Sequence, residues 1–357
     1  MRSDDGRRSP WGAGSATRSW RPERIDVDEE ALRSTVAELL RARRGPGATV
    51  AGLSREPSPF ATLFPADVLR VRTGDGTELR LFLKHLGGEE SDHPDKAGPE
   101  KEILVYRELL REAGLPVPRF WGARRNPASG RHEMFLEYVD GWTLENHGLE
   151  AWYRAARELG RLHRRFARPS ALRPARGTLP RLGAAYARDW ARRAEREASR
   201  RGGSLGSRVR ALLDGYGPVT SLLEEAPRTL VHNDLSPKNV VADTGRDPTR
   251  IRFVDWESAG IGCGLLDLTN LSYGLDRPER ERMRRAYRDG LDGRSGRDAG
   301  GALSSRLEAA CEAHKALWRL AHCGVWGLQD EAAEGFAAEA EAAVRRAGSA
   351  RPAGKGR

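Results

Sequence analysis

The chain has 357 residues and a formal net charge of +10, long enough to bury a good core as one large domain or two lobes. Its cysteines, Cys263, Cys311 and Cys323, are odd in number and widely spaced, which suggests neither a disulfide framework nor a zinc site and predicts buried or incidental thiols in a reducing cytoplasm. No apolar run approaches membrane-spanning length, and the start, Met1 to Glu23, has no signal-peptide core, so the expectation is a cytoplasmic protein with no membrane partner.

Residues 1–24 are rich in Arg, Ser and Gly and are expected to form a disordered basic tail. Asp26 to Arg43 carries Val27, Leu32, Val36, Leu39 and Leu40 near helical spacing, and Gly45-Pro46-Gly47 stops it. Three strand-like pieces follow: Thr49–Leu53, Asp67–Arg72 and Leu79–His85. The stretch Thr73-Gly74-Asp75-Gly76-Thr77 joins the last two as a hairpin. Leu81-Phe82-Leu83-Lys84 places a lysine among apolar neighbours on a strand, and such a lysine needs an anionic partner. A helix is expected over Pro99 to Ala113, with Pro99 in its first turn, Gly114 past its end, and Glu100 and Glu102 available as that partner. Strand-like pieces at Arg119–Ala123 and His132–Val139 complete this half, the second ending in Leu136-Glu137-Tyr138-Val139-Asp140-Gly141.

Beyond Gly141 the pattern becomes mostly helical: Leu149–Phe166, Leu179–Arg200 and Leu205–Leu223. Residues 151–210 hold seventeen Arg against four acids, more than the surplus of the whole chain. That is either a solvated helical surface or a face for an anionic partner. No nucleic-acid-binding motif accompanies it, so nucleic acid is not the expected partner.

The most informative stretch is Thr229 to Glu257. A short apolar run, Thr229-Leu230-Val231, leads into the loop His232-Asn233-Asp234-Leu235-Ser236-Pro237-Lys238-Asn239. A second apolar strand, Ile251 to Val254, ends at Asp255. Two carboxylates and one carboxamide thus sit at the ends of short β segments, and such oxygen ligands suit Mg²⁺. Phosphoryl transfer needs that metal plus a carboxylate to accept the hydroxyl proton, and the kinase catalytic loop supplies them as a base Asp, an Asn five residues on, and a later Asp. Asp234, Asn239 and Asp255 have that spacing and order.

Val231-His232-Asn233-Asp234, with Asn239 five residues past Asp234, and Val254-Asp255-Trp256-Glu257 resemble the aminoglycoside phosphotransferase and choline kinase family of the protein-kinase-like fold. The resemblance covers about Thr49 to Leu275 and is strongest between Val231 and Asp267. It implies an α+β, bilobal fold: an N-lobe with an antiparallel sheet and one main helix (residues 25–140), then a larger, mostly helical C-lobe (141–347) and a basic tail (348–357).

The family implies ATP- and Mg²⁺-dependent phosphoryl transfer to a hydroxyl. Asp234 is then the base, Asn239 and Asp255 the metal ligands, and His232 a brace for the loop. Glu257 is a further candidate for the metal shell. Lys238 either touches the transferred phosphate or faces solvent. Lys84 would bind the nucleotide phosphates, fixed by Glu102, which Glu102-Ile103-Leu104-Val105-Tyr106 favours over Glu100. Ser54 and Ser58, in a loop from Ser54 to Pro65, are candidates for covering the phosphates. The main chain of Glu137 and Val139 would take the adenine. Asp267 would hold the backbone of the catalytic loop, and His163 is a packed residue of a buried helix. Asn233 stands where protein kinases have the Arg that reads a phosphorylated activation loop, so control by such phosphorylation is not expected.

The acceptor expected from the resemblance is a small-molecule hydroxyl. The Arg-rich segment leaves open a Ser or Thr of an acidic peptide in natural-product biosynthesis. A catalytically silent nucleotide-binding scaffold is the reading from another class.

Overall fold

The structure is a computed structural model, and it describes residues 25–58, 64–87, 95, 98, 100–175, 177–245, 247–293 and 305–349. The expected tail at 1–24 and nearly all of that at 348–357 lie outside the described residues.

Helix α1 (Glu29–Arg44) starts where the Asp28 side chain accepts from Glu30 N–H and Ala31 N–H, both at 3.0 Å, and ends at Gly45, whose φ of 102° favours glycine. Strands β1 (Val50–Pro57), β2 (Ala66–Thr73), β3 (Glu78–Leu86), β4 (Phe120–Arg125) and β5 (His132–Glu137) form a five-stranded sheet in the order β1-β2-β3-β5-β4, antiparallel throughout. The β2–β3 hairpin turns as its sequence predicts, with Thr77 N–H on the Asp75 carboxylate at 3.0 Å.

Side chains alternate across β3. Leu81 and Leu83 pack outward with Leu69, Val71 and Phe135 against Leu32, Val36 and Leu40 of α1. Phe82 and Lys84 therefore face the other way, into a cleft. Helix α2 (Glu100–Leu104) packs behind that cleft and continues as one widened π turn, Val105–Leu109. The sequence predicts a regular helix to Ala113, and the chain leaves it four residues early, after Leu109.

The chain crosses over through Gly141 into the short strand β6 (Trp142–Thr143). Gly141 has φ 135°, and a Cβ there would lie 2.5 Å from the Ala242 carbonyl oxygen. Helix α3 (Leu149–Phe166) has the predicted bounds. It is followed by β7 (Arg181–Leu182), α4 (Ala184–Arg200), α5 (Leu205–Asp214) and α6 (Gly217–Glu225). One helix was expected over Leu205–Leu223; Gly215 ends the first and Pro218 opens the second.

Then come β8 (Arg228–Val231), the loop to Asn239, β9 (Val240–Asp243), β10 (Arg250–Phe253), β11 (Gly260–Cys263) and α7 (Leu265–Leu271). Helices α8 (Arg277–Asp292), α9 (Ser305–His322) and α10 (Asp330–Gly348) complete the described chain. Two small sheets, β10-β9-β6 and β7-β11-β8, hold the loops between them. The larger core runs from Ile103 and Tyr106 through α3 to α10. Helices α3 and α8 cross backbone to backbone: a Cβ on Gly160 would sit 2.2 Å from Tyr287 O, and one on Gly290 2.1 Å from Arg157 O.

Candidate active site

A cavity of about 520 Å³ opens between the five-stranded sheet and the helical part. Its walls include Lys84 from β3, Glu102 from α2, Glu137 and Val139 after β5, Asp234, Lys238 and Asn239 from the β8–β9 loop, and Asp255 and Glu257 after β10. Residues as far apart in sequence as Phe64 and Glu257 thus meet around one space.

Lys84 is the electrostatic centre. Its ammonium lies 2.8 Å from Glu102, 2.5 Å from Asp255 and 3.7 Å from Glu257. Burial alone would lower the proton affinity of Lys84, but Asp255, Glu102 and Glu257 more than offset it, and the group stays charged. Burial pushes the Glu102 carboxyl up, with Lys84 opposing and Asp255 and Glu257 adding to it. Glu100, the other candidate, instead meets His132 at 3.2 Å on the surface. Asp255 has φ 68° and ψ 64°, a left-handed conformation that turns the chain straight out of β10. Glu102, Asp255 and Glu257 each offer an oxygen, all within 4.8 Å of one another.

The loop before β9 is fixed from beneath. Asp267, fully buried at the start of α7, accepts His232 N–H and Asn233 N–H, each at 2.7 Å. His163 of α3 meets the same carboxylate at 3.3 Å and Tyr287 at 2.8 Å, as a packed residue would. Burial would raise the Asp267 pKa; the hydrogen bond and charge of His163, the charge of His232 and the His232 N–H together hold it below the usual carboxylate range. His232 is outside the cavity wall, its Nε2 2.8 Å from Val254 O and its ring against Trp256. It ties the loop to the end of β10. Asn239 donates its amide to Asp234 O at 2.8 Å, which leaves Oδ1 as the atom it could offer a cation. Lys238 is exposed on the cavity rim.

At the crossover, the Glu137 carboxylate is held by Arg119 N–H at 3.1 Å and Arg250 at 2.8 Å, and its own N–H donates to Arg119 O at 2.8 Å, so neither is on offer to a ligand. Val139 N–H has no hydrogen-bond partner among the described residues. Ser54 and Ser58 differ from the expectation. Strand β1 runs on to Pro57, so Ser54 is an exposed strand residue facing a separate groove with Arg70 and Arg72. Ser58 is buried, its N–H on Ala66 O at 2.8 Å, and neither serine lines the cavity. Residues 59–63 of the same loop lie outside the described residues.

Several neighbours of the loop carried no signal in the sequence. Asn233 donates to Tyr186 of α4 at 2.7 Å, and Lys315 of α9 donates to Asn233. Pairs of this kind span 47 and 82 residues, beyond any local pattern. The Arg surplus is partly spent within the protein: Arg201 meets Glu197 and Asp330, and Arg208 meets Glu334 and Glu341, tying α4 and α5 to α10.

Two parts joined by a crossover strand, with this cleft between them, define the protein-kinase-like fold. The sequence profile of the phosphotransferase enzyme family (APH) matches residues 58–303. The chain belongs to that family, and it is a phosphotransferase. Solved structures share the fold. Choline kinase from Cryptosporidium parvum Iowa II is 12% identical with a TM-score of 0.58, over 89% of this chain and 95% of that one. A putative aminoglycoside phosphotransferase from Ralstonia eutropha JMP134 is 15% identical with a TM-score of 0.55, over 90% and 98%. A thermostable mutant of aminoglycoside phosphotransferase APH(4)-Ia, in ternary complex with ADP and hygromycin B, is 20% identical with a TM-score of 0.53, over 88% and 100%. No curated protein sequence matches. Among the described residues no helix is long and apolar enough to cross a membrane.

Proposed function

We propose that the protein transfers the γ-phosphoryl group of ATP to a hydroxyl of a small molecule, between an N-lobe of residues 25–140 and a C-lobe of residues 141–347. One observation carries the reading: Lys84, Glu102, Asp234, Asn239 and Asp255 all reach the same cavity. Asp234 orients the acceptor hydroxyl and takes its proton. Lys84, held by Glu102, draws the nucleotide phosphates into place. Val139 N–H and the Glu137 carbonyl receive the adenine edge. His232 and Asp267 keep the loop in register with the end of β10. Lys238, on the rim, is in reach of a phosphate entering the cleft.

Asn239, Asp255 and Glu257 line the same cavity and offer oxygen donors, which fits a hard divalent cation beside the Lys84 cluster. Asn239 Oδ1 and the Asp255 carboxylate would hold Mg²⁺, with Glu257 beside them; when bound, the ion neutralises charge on the phosphate oxygens. The structural neighbours include a choline kinase and an aminoglycoside phosphotransferase in complex with ADP and hygromycin B, which supports a small hydroxyl acceptor. The partial pairing of the Arg-rich helices with acids weakens the case for an acidic peptide.

The test is Mg²⁺-dependent ATP consumption over aminoglycosides, amino alcohols, sugars and Ser/Thr peptides, beside Asp234→Asn. Turnover stimulated by one small-molecule class and lost in the variant, with ATP binding retained, is the expected result. ATP binding without turnover on any acceptor, in wild type and variant alike, would support a silent scaffold instead.

A further inference from the structure

Helix α9 turns an unusual face toward the catalytic loop. Lys315 on that face is fully buried, 0% exposed, and carries no part of the reaction as described so far. Its ammonium donates to the Asn233 carbonyl at 2.5 Å and to Asn233 Oδ1 at 3.1 Å. Asn233 directly precedes Asp234 and has φ 69°, a left-handed conformation uncommon for non-glycine residues and one that Asn adopts more readily than most. The Asn233 carboxamide also donates to Tyr186, and its N–H to Asp267. Three helices, α4, α7 and α9, thus converge on one residue, and Lys315 is the only one of these contacts that grips both its backbone and its side chain.

We propose that Lys315 is a positioning residue for phosphoryl transfer: by clamping Asn233 in its left-handed conformation, it aims the Asp234 carboxylate into the cleft. The proposal rests on the phosphotransferase reading above, with Asp234 as base.

The cost of this lysine argues for a role other than stability. Burial lowers its pKa to about 8, with Asp267, Asp234 and Asp95 opposing and Arg319 adding to the fall. Cys311, His314 and the Trp318 ring of its own helix, the ring 5.1 Å away, also face it. His314, fully buried with neither ring nitrogen hydrogen-bonded, is pushed down to about 3 and stays neutral. Tyr186 of α4, across Asn233, is raised and stays protonated. A lysine whose proton affinity is lower folded than unfolded opposes folding while it is charged, and stability rises as pH passes from about 8 toward the ordinary lysine range. Removing such a charge should leave the fold intact; removing the clamp should not leave the rate intact.

The experiment compares wild type with Lys315→Met and Lys315→Arg in acceptor-stimulated turnover, from pH 6.5 to about 9.5, a range that brackets the lowered titration of Lys315. For Lys315→Met the expected result is a kcat lower by about 10- to 100-fold, a KM for ATP within about threefold of wild type, and a Tm within about 4 °C. Wild-type kcat should fall as pH rises through about 8, where Lys315 loses its proton. The Met variant should lack that limb, and the Arg variant should shift it upward. Wild-type kcat in Lys315→Met, or a loss of rate matched by a collapse in Tm with the alkaline limb retained, overturns the proposal. If Lys315→Met does not fold, Asn233→Gly keeps the positive φ accessible but removes the carboxamide. It should lose about tenfold in kcat; an unchanged kcat is the opposing result. If wild type turns over no acceptor, the phosphotransferase reading fails by itself. Amide hydrogen exchange at residues 232–236 still decides the clamp: about tenfold faster exchange in Lys315→Met supports it, and equal rates refute it.

Discussion

Replacing Asp267 by Asn tests how the loop is held. The carboxylate is fully buried and takes two backbone N–H groups, from His232 and Asn233, each at 2.7 Å. Hydrogen bonds to a charged partner contribute about 1.5–3 kcal/mol each, and a buried donor left unpaired costs about 1–3 kcal/mol. An Asn keeps one acceptor and turns an NH₂ toward the other N–H, so one bond is lost and two donors confront each other. The expected loss is about 3–5 kcal/mol near pH 7.5, or a Tm lower by about 6–10 °C in a chain of this size. Because the folded carboxyl is held below its ordinary range, its stabilisation is present above the unfolded value near 4 and disappears as pH falls through the folded one. Thermal melts of wild type and variant at several pH values should therefore converge in acid. Turnover should fall about 100-fold at temperatures where the variant is folded, with ATP affinity little changed, since Lys84 and Glu102 are untouched. A variant within about 1 kcal/mol of wild type at pH 7.5 that also keeps its kcat would refute the reasoning.

Lys84→Met removes the only cation among Glu102, Asp255 and Glu257 within the described cluster, so it should cost about 3–5 kcal/mol in urea denaturation near neutral pH and raise the KM for ATP. Gly160→Ala would push a methyl against Tyr287 O; a loss of about 1–3 kcal/mol with little change in kcat is expected from melts and turnover run in parallel. Ser54→Ala should leave the KM for ATP at the wild-type value, since Ser54 faces another groove, and a severalfold rise would return it to the site.

What could be read in the sequence follows from the range over which each signal acts. Helix α3 and the strands around the Asp75 turn are written in local periodicity, and their bounds differ from expectation by few or no residues. The loop assigned to Ser54 failed because β1 pairs along its full length with β2 through Pro57 and Asp67, a register that no local alternation encodes. The break after Asp214 is marked in the sequence by Gly215, Gly217 and Pro218, against an apolar periodicity that runs on to Leu223. Lys84, Asp234, Asn239 and Asp255 stood out because each has a fixed place in the order of strands and loops. Lys315 did not. On α9 it reads as one more basic residue, and only tertiary packing brings it to Asn233, 82 residues away.

The short pairing of β6 with β9 has a mechanical consequence. Trp142 and Thr143 are zipped to Ala242 and Val241, while Gly141 presses against the Ala242 carbonyl with no room for a side chain. The strand leaving the crossover is thereby riveted to the strand that begins one residue after Asn239. If the two halves swing about the cleft, the pivot has to lie upstream of Gly141, between Glu137 and Asp140. Trp142, Thr143 and the Asn239 turn would then travel together, and the sheet carrying Lys84 would move relative to them.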